Sequence, residues 1–163
     1  MGLSNLGIFH TIIGILAIIA GLVSFVRYGK INLAMLSGKI YFFGTIVASL
    51  TALGISKHGG FNPGHVISLL IVVLIVVAFY LFNRRVGNNV ARYYENFLMS
   101  FSFFLSMLPT VNETLTRILV GHPFAKDITD PLIGKTLLAI LILFIAGSVY
   151  QFRKQKKINM STR

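Results

Sequence analysis

Five apolar stretches, separated by short polar or glycine- and proline-bearing breaks, organise the chain. Residues 6–26 run for 21 positions without a formal charge, and about 20 apolar residues at 1.5 Å each cross a hydrocarbon layer of roughly 30 Å. A second stretch covers 33–55, with Lys39 placed near its start to snorkel toward an interface. Asn62-Pro63-Gly64 breaks the chain before a third, Val- and Ile-rich stretch at 65–82. The fourth, 93–110, is the least uniform: it mixes Phe, Leu and Met with Glu95, Asn96, three serines and Pro109. The fifth, 132–152, follows Pro131 and is closed by Arg153, Lys154, Lys156 and Lys157. The pattern predicts an all-α fold: one domain over 1–163, an integral membrane bundle of five transmembrane helices.

Charge position decides whether the fourth stretch counts as a span. With five spans, one side collects eleven basic residues (Arg27, Lys30, Lys39, Arg84, Arg85, Arg92, Arg153, Lys154, Lys156, Lys157 and Arg163), and the other only Lys57, Arg117, Lys126 and Lys135. Without the fourth span the same residues divide six against nine, which is little bias. The positive-inside rule therefore selects five spans, with the N-terminus outside and the C-terminus cytoplasmic. A cleaved signal peptide would need basic residues ahead of its apolar core, whereas the first one here, Arg27, follows it.

Composition agrees. Hydrophobic residues make up 55% and charged residues 12% of the 163, against about 25% charged in a soluble domain, and mean hydropathy is +0.81. A chain this short cannot hide so much apolar surface from water, so lipid must solvate it. The net charge of +11 then reads as an orientation signal with some attraction to anionic lipid, and nucleic acid need not be invoked. With no Cys, disulfides, thiolate metal sites, iron-sulfur clusters and c-type haem attachment are all excluded. No internal repeat is evident, and the longest connection, about 111–131, lies on the outer side.

Helices in lipid associate through small residues and interhelical hydrogen bonds. Gly7, Gly14, Ala17 and Gly21 of the first span fall within about 80° of arc on an ideal helix, and His10 shares that arc. Gly44, Ala48 and Ala52 form a matching seam in the second span at four-residue spacing. Span four carries another stripe: Glu95, Ser102, Ser106 and Glu113 lie within about 40° of one another, with the carboxylates about 27 Å apart and Pro109 placed to kink the helix. One reading of this stripe is a path for protons or a small solute. The other is interfacial carboxylates at either end, with serines bonding back to the carbonyl one turn earlier.

The five-span arrangement also gathers His10, His58, His65 and His122 on the outer side, together with Glu113, Asp127 and Asp130. Imidazole and carboxylate are ligands for Zn, Cu or Fe, and His10, His65, His122 and Glu113 are the candidate metal ligands. Bis-His haem ligation by His10 and His65 is a variant of the same idea. Each residue also has a structural reading. His10 suits an interhelical hydrogen bond, His65 a wetted helix start, His58 beside Gly59 and Gly60 a solvated loop, and His122 before Pro123 a turn. Glu113 and Arg117 are spaced i, i+4 and suited to pair. Asn112-Glu113-Thr114 matches a glycosylation sequon. HExxH, an i, i+4 His pair and an EF-hand loop are all missing.

Three elements in the first half of the chain, FHTIIGILAIIAGLVSF, LSGKIYFFGTIVASLTAL and GFNPGHVISLLIVV, resemble an uncharacterised bacterial family of small predicted inner-membrane proteins with a domain of unknown function. His10 opening the first span, Gly38 to Tyr41 opening the second and Pro63 to His65 opening the third carry the resemblance. The family's basic-His positions in the cytoplasmic loops have no counterpart here. The resemblance implies a multi-pass protein of the bacterial cytoplasmic membrane and implies no activity.

Three functions compete on sequence grounds. The first is a membrane protein with an outward His and carboxylate site for a transition metal ion or haem. The second is proton or small-solute transport along the polar face of the fourth helix. The third is a structural subunit whose small-residue seams bind a homo-oligomeric or larger membrane complex. An enzyme is the least supported class, because no Ser, His and acid set, phosphate loop or dinucleotide motif stands out. The partner expected throughout is membrane lipid.

Overall fold

The structure is a computed structural model that describes residues 4–55, 60–84, 88–117 and 123–161. Five helices follow in order: α1 (Asn5–Tyr28), α2 (Leu36–Ala52), α3 (Pro63–Arg84), α4 (Asn89–Arg117) and α5 (Pro131–Ser161). Polar caps set four of the starts. Ser4 accepts from the Gly7 amide, Asn62 Oδ1 from Gly64 and His65, Asn88 Oδ1 from Ala91, and Asp130 Oδ1 from Leu132. Each side-chain oxygen satisfies an amide that the first helical turn leaves unpaired. Pro63 and Pro131 occupy first helical positions, where a missing N–H costs nothing. Gly29 ends α1 with φ 72°, a left-handed conformation that glycine adopts without penalty.

Successive helices run antiparallel. Leu6 and His10 of α1 meet the last turn of α2 and the residues just after it, Phe42 of α2 stacks on Phe79 of α3, and Asn96 of α4 bonds Gln155 of α5. The termini therefore lie at opposite ends of the bundle, an N-terminal end and a C-terminal end. α4 sits centrally, against α3 and α5 and touching α1, whereas α5 packs along α4 and reaches α1 only at its last turn. One core joins Tyr41, Phe42, Ile75, Ala78 and Met99, and takes in Ile31 and Leu33 from the α1–α2 turn. Phe97, Phe101 and Phe104 of α4 hold Phe144 of α5.

α1, α3 and α5 are long and apolar enough to cross a membrane; α2 is apolar but has 17 residues. The outward faces of the three long helices carry large exposed apolar residues, among them Ile12, Ile15, Val73, Leu143 and Ile145, a surface compatible with lipid. α4 has the reverse arrangement. Its polar residues Glu95, Asn96, Ser100 and Ser102 are buried inside the bundle, which is why its average composition hides its central position.

α2 is three residues shorter at each end than the apolar stretch 33–55, α4 begins four residues before 93, and the largest departures are at the C-terminal ends of α4 and α5. α4 continues through Pro109 to Arg117, with the Thr110 hydroxyl donating to the Ser106 carbonyl at 2.7 Å one turn back. α5 continues past the apolar stretch to Ser161, because Gln151, Gln155 and Asn159 bury one face of the extension.

The α1–α2 contact is close. A Cβ on Gly44 would lie 3.0 Å from the Ala17 Cβ, and one on Gly21 would meet Phe103 at 2.8 Å and Tyr41 at 3.0 Å. Gly7 and Ala48 are also buried and Ala52 half-buried, but Gly14 has open space where a side chain would stand.

Candidate functional site

The C-terminal end of the bundle holds a buried polar cluster drawn from three parts of the chain. The Lys30 ammonium, in the α1–α2 turn, donates to Asn96 Oδ1 at 2.8 Å. Asn96 Nδ2 donates to Gln155 Oε1 at 3.2 Å, and Gln155 Nε2 donates to Asn159 Oδ1 at 2.8 Å. An ammonium only donates, so the orientation of every amide in the line follows from Lys30. A chain of bonds that begins at a cation polarises its members in one direction. Ser100 Oγ lies 2.9 Å from Gln151 Oε1 beside this line. Glu95, next to Asn96, is 0% exposed.

The turn is shaped to place Lys30. Ser24 Oγ donates to the Lys30 carbonyl and accepts from the Asn32 amide, and the Lys154 ammonium donates to the Tyr28 carbonyl at the end of α1. A crevice between α4 and α5, lined by Tyr93, Asn96, Phe97, Ser148, Gln151 and Phe152, leads to the cluster but has no room for water. The sequence reading identified Glu95 but missed the α5 amides. Their signal was present in the spacing of Ser148, Gln151, Gln155 and Asn159, which share a helix face, but it is interleaved with Arg153, Lys154, Lys156 and Lys157.

Further along α4, the Tyr41 hydroxyl lies 2.9 Å from Ser102 Oγ, which donates to the Met99 carbonyl at 2.8 Å. Ser106 donates to the Ser102 carbonyl at 2.9 Å. Met99, fully buried, lies between Glu95 and Ser102 along the helix. The stripe thus divides into a buried part toward the C-terminal end of the bundle and a separate part around Glu113, which pairs with Arg117 one turn on. Partial burial pushes the Glu113 carboxyl above its usual range. Solvent screens the Arg117 pair at this half-exposed position.

At the N-terminal end, His10 Nδ1 lies 2.9 Å from the Ala48 carbonyl and 3.2 Å from Thr51 Oγ1. A carbonyl only accepts, so Nδ1 carries the proton and the neutral ring keeps its lone pair on Nε2. His65 has the opposite tautomer. Its Nδ1 accepts from the Asn62 amide at 3.2 Å, leaving the Nε2–H buried without a hydrogen-bond partner among the described residues. His58 and His122 lie outside the described residues. Asp127 accepts from the Thr129 amide and hydroxyl, and Asp130 from Lys126 and Leu132. These bonds hold both carboxyls below their usual range. Among the described residues no three His, Asp or Glu side chains come together as a metal-binding group.

An open cavity of about 340 Å³ lies beside Glu113, bounded by α4 and the segment that leads into α5. Comparison of the chain with protein-family models, with curated proteins and with solved structures finds no match.

Proposed function

We propose that the chain spans the bacterial cytoplasmic membrane five times, N-terminus outside, and moves a proton or small polar solute, with Glu95 as the exchangeable carboxylate. The observation that carries this reading is the complete burial of Glu95 on the central helix, beside a hydrogen-bonded line of Lys30 and amides. An ionisable side chain at membrane depth is costly to maintain and marks transport paths and proton relays more often than scaffolding. The closed α4–α5 crevice is the access route, and α5 is the element free to part from it, because it packs along α4 alone for most of its length. In proteoliposomes with a trapped pH dye, the intact chain should carry proton flux that Glu95→Gln reduces to the protein-free level. Flux unchanged by that substitution would remove the reading.

A second reading keeps the outer His and carboxylate site for a transition metal or haem. The His10 tautomer supports it, because Nδ1–H held by a carbonyl is the usual support of a ligating imidazole and leaves Nε2 to bind. Glu113 lies within electrostatic reach of His10 and would be the second ligand, with His122 the remaining candidate; His65, whose Nδ1 lone pair accepts from the Asn62 amide, has none left for a metal. Purified protein carrying stoichiometric metal or a Soret band, lost in His10→Ala, is its test.

A further inference from the structure

The cavity beside Glu113 is independent of the Glu95 cluster and has its own chemistry. Its charged lining is balanced: Arg117 and Lys126 against Glu113 and Asp127. Much of their bonding capacity is unspent. Glu113 uses one carboxylate oxygen on one Arg117 nitrogen, and Asp127 directs only Oδ1 at Thr129. The Lys126 ammonium makes no hydrogen bond or ion pair among the described residues; only its backbone amide is engaged, by Asp130. A lining with two cations and two anions offers no net field to a simple anion or cation. It matches a ligand that carries both signs a few ångströms apart, and about 340 Å³ lies at the lower end of the range for small-ligand sites.

Two exposed apolar side chains mark the source of such a ligand. Ile128 lines the cavity and Phe124 precedes it in the same segment; they are 70% and 59% exposed. A headgroup seated between the charges would lay its apolar part against residues of this kind. We propose that the cavity binds the headgroup of an amine-bearing phospholipid, with Arg117 and Lys126 on the phosphate and Glu113 and Asp127 on the ammonium. The proposal rests on the membrane placement above but not on the transport role of Glu95.

The test titrates detergent-purified full chain with phosphatidylethanolamine, phosphatidylcholine and phosphatidylglycerol, counting bound lipid by native mass spectrometry. Soluble phosphoethanolamine is the competitor. The ethanolamine lipid should bind at least tenfold more tightly than the choline lipid, which lacks N–H donors, and than the glycerol lipid, which lacks the cation. Lys126→Ala, which breaks no bond of the fold, should remove most of that preference while leaving Glu95-dependent flux intact. Competition by phosphoethanolamine alone would support a headgroup-defined site, and lipid binding that resists it would support a site that also needs the apolar part. Equal binding of the three lipids, or an unchanged preference in Lys126→Ala, would overturn the proposal. Flux unchanged by Glu95→Gln, with the ethanolamine preference intact, would count against the transport reading only.

Discussion

Lys30 Nζ lies 2.8 Å from Asn96 Oδ1 and joins the turn after α1 to the start of α4 across 66 positions of sequence. Asn96 is the hub, since it also donates to Gln155. Asn96→Ala would leave a lysine ammonium and a glutamine carbonyl without this partner in a buried setting, at a cost of about 2–3 kcal/mol. Thermal unfolding in detergent should show a clearly lowered Tm. A variant as stable as the parent would mean that the line of amides contributes nothing net.

The glycines separate into those the fold needs and those it does not. A Cβ on Gly38 would collide with the Asn32 backbone carbonyl, and backbone cannot move aside as a side chain can. Gly38→Ala should therefore displace the α1–α2 turn, uncouple Lys30 from Asn96 and lower the Tm sharply. Gly14 has nothing within 4 Å, so Gly14→Ala should be neutral or gain up to about 1 kcal/mol from helix propensity. The pair, measured together by the same melts, fails if both substitutions act alike.

Five helices were legible because apolar runs and the prolines at helix starts are local signals, as with Pro63 and Pro131, although their limits moved by one to nine residues. The inward turn of α4 was legible in part, since Glu95 and Ser102 lie on one face. What spacing did not reveal was partnership. Gly14 shares an arc with Ala17 yet faces open space, because an arc of small residues does not say how far a neighbour extends. Gln155 looked like part of a basic tail, because its partner Asn96 belongs to another helix. His10 makes the interhelical hydrogen bond its position suggested, to the Ala48 carbonyl, whereas His65, expected at a wetted helix start, is buried and takes the opposite tautomer from the Asn62 amide.

Acid should loosen the segment leading into α5. Asp127 and Asp130 have carboxyls held below the usual value by hydrogen bonds from Thr129, Leu132 and Lys126. A lowered folded-state pKa gives stabilisation that is complete above the ordinary aspartate value near 4 and is lost as pH falls through the lowered one. Glu113 has the opposite sign. Its raised carboxyl favours the folded state below the ordinary glutamate range, and that contribution fades as pH rises through the folded value. Hydrogen exchange of the Thr129 and Leu132 amides, followed from pH 6 downward with the intrinsic rate divided out, should show protection falling below about pH 4. Asp130→Asn should flatten the Leu132 curve.

The His10 bond to the Ala48 carbonyl allows its structural and ligating roles to be separated. Asparagine places an N–H donor near the position of Nδ1 but has nothing in place of Nε2. His10→Asn should therefore keep the α1–α2 contact, with a stability change below about 0.5 kcal/mol, whereas His10→Leu should lose about 0.5–1.5 kcal/mol with the bond, the Ala48 carbonyl keeping the Thr51 hydroxyl as donor. If His10 also ligates a metal, both variants should lose the metal equally although only one loses stability. Elemental analysis and thermal melts on the same samples read the two effects separately. Metal retained by His10→Asn would place any bound ion elsewhere, and equal destabilisation by both variants would show that Nε2, not Nδ1, carries the packing.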